Sequence, residues 1–183
     1  MAYTGQGPND SVLTSNGTVD KFSAYPEVLG LGIGASAGST AGITFDGTNF
    51  LNFYATGTWT PTLFGQTIAG TSTYTQQTGY YIIVGNLVTV NFTVSVSAAT
   101  GTGNIGIGGL PFTVKNQSTY LPMGSMTING LIPFPAGITG IVLQGFANAT
   151  SMAILGYGSS VIAQYVQMTN VAVTYTGSLS YEI

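Results

Sequence analysis

Between Leu87 and Ser97 the chain alternates without interruption. Val88, Val90, Phe92, Val94 and Val96 are apolar, and Thr89, Asn91, Thr93 and Ser95 stand between them. A period of two is the signature of a β-strand with one buried and one polar face, and a helix cannot gather those five residues on one side. Residues 80–84 precede this run across Gly85-Asn86, a two-residue connection that suits a hairpin. Further strands are expected at 104–108, 123–128, 140–146, 152–157, 161–166, 171–176 and 178–183, with Ala147-Asn148-Ala149-Thr150 as a turn between two of them. Short strands separated by Gly, Asn and Pro predict an all-β fold, an antiparallel β-sandwich or jelly-roll-like head. No helix and no internal repeat is expected.

Charge is nearly absent. Only 4% of the 183 residues are charged, where a soluble domain averages about 25%. Thr, Ser, Asn and Gln supply 61 residues, so solubility must rest on hydroxyls and amides. Asp10, Asp20, Lys21 and Glu27, four of the seven charges, fall before residue 43. In the same region Gly5, Gly7, Pro8, Asn9, Asn16 and Gly17 are turn formers, and the apolar stretch 28–34 holds too many glycines for a stable helix. Residues 1–42 therefore read as an extended arm with no periodic face, and 43–183 as the head. Monomeric β proteins guard their edge strands with Lys, inward charges or Pro. One lysine follows residue 42, so the edges are expected to be covered by other copies of the chain, with a homotrimer as the favoured assembly. The first residues lack the basic and apolar regions of a signal peptide, and no run of ~18 apolar residues is uninterrupted, so membrane insertion is not expected.

Most catalytic chemistry is excluded by composition. The chain has no His and no Cys, hence no imidazole base, no thiolate and no zinc or haem site of the usual kind. Gly34-Ala35-Ser36-Ala37-Gly38 fits the nucleophile-elbow spacing but has no histidine to activate the serine. Gly101-Thr102-Gly103-Asn104-Ile105-Gly106 fits a dinucleotide fingerprint, yet no helical pattern follows and no acid stands about 20 residues on, so it reads as a β turn and strand. The five carboxylates do not cluster, which leaves neither a glycosidase pair nor a calcium loop. Two lysines cannot track a nucleic-acid backbone. No enzyme activity, catalytic residue, cofactor or metal is expected.

The aromatics carry the one binding signal. Tyr80 and Tyr81 are adjacent, so in a strand one faces in and the other out. Most aromatics are expected in the core or between subunits, and an exposed tyrosine can stack on a sugar ring. With so few charges, a neutral host-surface glycan is the expected ligand, held in loops at one end of the head. Segments 116–120 and 148–151 are the loop candidates, and Tyr81, Asn116, Tyr120 and Asn148 are the candidate contacts.

Several segments together resemble a known family. Gly42-Ile43-Thr44-Phe45-Asp46-Gly47-Thr48 and Gly57-Thr58-Trp59-Thr60-Pro61-Thr62-Leu63 are similar to the entry of a C-terminal domain shared by bacteriophage tail fibres, tailspikes and neck appendages. The similarity continues at Thr75-Gln76-Gln77-Thr78-Gly79-Tyr80-Tyr81, at residues 84–88, at 101–112 and from Met168 to Tyr181. It covers roughly residues 42–183. The resemblance implies a trimeric β head on a virion appendage, used for host attachment or as a structural tip. Residues 52–56 lack the acidic stretch that the family usually carries before its Gly-Thr-Trp, and no long shaft is read in residues 1–42. Two placements on the virion surface follow: a short tail-fibre-like appendage for host attachment, or a capsid decoration or head-fibre protein on the major capsid lattice. In either case residues 1–42 are expected to bind other virion proteins.

Overall fold

The computed structural model describes residues 11–15, 18–22, 43–44, 50–51, 53–117 and 119–183, with side chains from Phe53 onward. Its contacts divide the chain into two compact units, Met1–Ile43 and Thr44–Ile183. In the first, β1 (Ser11–Ser15) and β2 (Thr18–Phe22) pair antiparallel, with Ser15 opposite Thr18. This hairpin lies within the segment that the sequence presents as an extended arm. Asn16-Gly17 between two short runs is itself a hairpin signal, but five-residue strands offer too little alternation to stand out. The apolar stretch 28–34 and the Asp46-Gly47 turn lie outside the described residues.

After the short pair β3 (Ile43–Thr44) and β4 (Phe50–Leu51), ten strands make one antiparallel sheet. They are β5 (Tyr54–Trp59), β6 (Thr62–Gly65), β7 (Ser72–Val84), β8 (Leu87–Ala99), β9 (Ile105–Gly108), β10 (Met123–Asn129), β11 (Gly140–Gly145), β12 (Ser151–Tyr157), β13 (Gln164–Tyr165) and β14 (Val173–Glu182). The spatial order is β5-β7-β8-β14-β10-β11-β12-β9-β6, with β13 on β12. Among the described residues there is no helix. The alternation in β8 appears as expected: Val88, Val90, Phe92, Val94 and Val96 are all buried, and the hairpin to β7 turns on Gly85 at φ 59°. Residues 147–150 form the expected turn, with Asn148 at φ 56°.

The sheet curls strongly. β10 and β11 share only two residue pairs, Met123 with Gln144 and Gly124 with Leu143, so the ladder bends there and its two halves enclose a single core. Val90, Val94, Tyr175 and Leu179 come from one half; Ile105, Ile107, Leu143 and Ile154 come from the other. The end strands β5 and β6 follow one another across Thr60-Pro61, so both ends of the sheet meet at that link. Side chains of β7 close the remaining gap. The Leu63 amide donates to the Tyr74 hydroxyl at 2.8 Å, and the Gln77 amide donates to the Pro61 carbonyl at 2.9 Å.

A bulge makes that closure possible. Tyr74 pairs with Val96 and Gln76 with Ser95, which leaves Thr75 as an extra residue and reverses the in-out parity of β7. Tyr74 and Gln77, three apart, thereby reach the same side, while Gln76, Thr78 and Tyr80 face outward.

Two expected elements differ. In place of two strands at 171–176 and 178–183 there is one, β14 (Val173–Glu182), which runs straight through Gly177. Gly177 is there for close packing: a Cβ would stand 2.8 Å from Leu143 Cδ1 and 2.9 Å from the Ser125 carbonyl. Of 161–166 only Gln164 and Tyr165 pair as a strand. The chain then crosses toward β9, where the Ile105 amide donates to the Val166 carbonyl at 2.8 Å.

Candidate functional site

The outer face of β7, β8, β14 and β10 presents an ordered array of uncharged polar groups. In its middle row Thr78, Thr93, Thr176 and Thr127 lie opposite one another on four successive strands. One row along, Tyr80, Asn91, Ser178 and Ser125 are in register; on the other side come Gln76, Ser95, Thr174 and Asn129. Strands stand ~4.8 Å apart, so the threonine row spans about 14 Å. Thr78 lies between the longer Gln76 and Tyr80, and the face holds an open groove of about 470 Å³ with Phe92, Met126 and Gly177 among its lining residues.

Hydrogen bonds inside the array fix part of it. Ser95 and Thr174 hydroxyls are 2.8 Å apart and those of Thr93 and Thr176 are 3.3 Å apart. These cross-strand pairs hold the centre, and Thr127 and Thr176 are exposed to solvent. Tyr80 is 59% exposed, and its own carbonyl accepts the Trp59 indole N–H at 3.3 Å, which anchors its backbone to the core. A smaller cleft of about 180 Å³ opens where β10 and β11 part, lined largely by Ile128, Phe134, Ile138 and Ile141. It lacks a set of convergent polar groups that would orient a ligand.

Further along, the outer face becomes apolar. Tyr54, Ile82, Val84 and Leu87 are exposed there, with Tyr54 opposite Val84 and Val84 opposite Leu87. Among the described residues the outer edge of β5 pairs with no strand; it borders this patch and carries no charged residue. From Phe53 to the C-terminus the sequence holds two charged side chains, Lys115 and Glu182, and they pair with each other at 2.8 Å. Glu182 also accepts from the Gln117 amide, and the Lys115 ammonium, as hydrogen-bond donor and neighbouring charge, holds its carboxyl below the usual range.

The residues singled out from sequence lie elsewhere. Tyr81 is the inward member of its pair, half-buried, with its ring edge-on to Phe112 at 5.3 Å between centroids. Asn148 and Asn116 are exposed on neighbouring loops: the Asn148 amide donates to the Val114 carbonyl, and the Val114 amide donates to the Ala149 carbonyl, both at 2.9 Å. Tyr120 is 64% exposed beyond Asn116. None of the four lines the groove, where Tyr80 is the exposed aromatic. The array was missed because its rows join strands far apart in sequence; its only local sign was the polar set Thr89, Asn91, Thr93 and Ser95. Among the described residues no cluster of acids could hold a metal. No family model, curated protein or solved structure matches this chain.

Proposed function

We propose that this chain is a bacteriophage virion surface protein, a short tail-fibre-like appendage whose β head attaches the particle to a neutral glycan on the host. The observation that supports this reading is the head's surface. Of its three charged residues, Asp46, Lys115 and Glu182, the last two pair with each other, and the groove over β7, β8, β14 and β10 is lined by hydroxyls and amides together with Phe92, Met126 and Gly177. Such a surface suits a ligand that carries many hydroxyls and no charge. The sequence resemblance to phage appendage domains points the same way.

In this reading the curled sheet is a jelly-roll-like head that works as a homotrimer. The uncharged β5 edge and the exposed Tyr54, Ile82, Val84 and Leu87 supply the surface that other copies cover. Trimerisation raises a weak single-site affinity through avidity. Residues 1–42 hold the head to other virion proteins.

The test is adsorption of the purified full-length chain to bacterial cells before and after periodate oxidation of their surface sugars, with light scattering of the same sample. The expected outcome is a particle of three chains that adsorbs, and that loses adsorption after periodate. A monomer that adsorbs to no cell, from a virion carrying one copy per capsid lattice position, would move the assignment to capsid decoration.

A further inference from the structure

We infer that the groove over β7, β8, β14 and β10 is the binding site for a linear neutral polysaccharide, which lies along the threonine row and stacks on Tyr80 at one end. This inference rests on the host-attachment reading and goes beyond it by placing the ligand on the sheet face, away from the loops.

The chemistry of the groove selects the ligand. Hydroxyls donate and accept, and they rotate to suit a partner, as sugar hydroxyls do. An anionic polymer would need a cation, and Lys115, the one cation after residue 53, is engaged by Glu182 outside the array. A cationic ligand would need a carboxylate, and none lines the groove. An apolar ligand would strip water from many polar groups without replacing their hydrogen bonds, at a cost of about 1–3 kcal/mol each. A neutral chain of hydroxyl groups has none of these penalties.

Shape argues for a linear ligand. Four threonines in register make a straight track about 14 Å long, enough for a short run of sugar rings. Tyr80 stands beside the Thr78 end of that track and offers an exposed ring to the apolar face of a sugar. The apolar patch around Ile82 and Val84, and not this hydrated array, is the better surface for a second copy.

The experiment is affinity electrophoresis of the full chain through gels containing dextran, amylose or galactomannan, with hyaluronate as an anionic control. Tyr80→Ala and the double variant Thr93→Val, Thr176→Val probe the groove, and Tyr120→Ala probes the loop. At least one neutral polymer is expected to retard the wild type. Tyr80→Ala and the double valine variant should weaken that retention about tenfold or more, with the β-sheet circular dichroism of the folded chain retained, while Tyr120→Ala retains it. Groove variants that bind like wild type, with Tyr120→Ala impaired, would move the ligand to the loops and overturn the site while leaving host attachment standing. So would retention of none of the three polymers by a chain that still adsorbs to cells. Dissociation of the oligomer by Thr176→Lys in light scattering would show that another copy covers this face, and would also overturn it. A chain that neither binds the polymers nor adsorbs to any cell would remove both readings.

Discussion

Two buried tyrosines on β14 differ in one hydrogen bond. The Tyr181 hydroxyl donates to the Phe112 carbonyl at 3.1 Å, whereas the buried Tyr175 hydroxyl has no partner among the described residues. A satisfied buried hydroxyl contributes about 1 kcal/mol, while an orphan one costs a similar amount or more. Tyr181→Phe should therefore lower the unfolding free energy measured in urea by about 1 kcal/mol, and Tyr175→Phe should leave it unchanged or raise it. Desolvation pushes the Tyr181 phenol up to about 12 and raises that of Tyr175 as well, from an ordinary value of 10. Between pH 10 and 12 the folded chain keeps protons that the unfolded chain has lost, so stability is full below pH 10 and falls as pH rises. The slope approaches about 1.4 kcal/mol per pH unit for each such tyrosine. Unfolding followed across this range should show the fall, and the Tyr175→Phe, Tyr181→Phe double variant should flatten it.

At the scale of elements, the sheet's closure depends on the bulge at Thr75 and on Tyr74. The Tyr74 hydroxyl both accepts from the Leu63 amide at 2.8 Å and donates to the Leu63 carbonyl at 3.3 Å, so it serves a strand edge that no ladder reaches. Tyr74→Phe should destabilise the head by about 1–2 kcal/mol and speed hydrogen exchange at Leu63 while Val90 and Val94 stay protected. Gly177→Ala should cost about 1–3 kcal/mol, because the new methyl has to displace Leu143 or widen the β14–β10 pair. These two positions also show what could be read in advance. The alternation of β8, its hairpin with β7 and the turn at 147–150 are local patterns, legible because each strand dictates its own faces. Gly177 looked like a break because a glycine inside a strand and a glycine at its end are identical in sequence; the difference is Leu143, 34 residues away. The Thr75 bulge and the strand order are non-local in the same way. The threonine array depends on both, so its chemistry was visible in the composition and its place was not.

For the whole molecule, the governing property is the near absence of charge. Beyond residue 52 the only ion pair is Lys115 with Glu182, and it is exposed, so it adds little to stability and is weakened further by salt. Hydrogen bonds and burial hold the head, which makes its melting temperature nearly independent of ionic strength. The same property governs binding. A ligand gripped by hydroxyls, amides and Tyr80 releases few counterions, whereas one gripped by charges weakens steeply as salt rises. The decisive measurement is the affinity of the full chain for an immobilised neutral polysaccharide, titrated from low to high salt. The affinity is expected to hold within about twofold across the range, since no charge is neutralised. A steep fall with salt, or tighter binding to an anionic polymer than to any neutral one, would contradict that expectation.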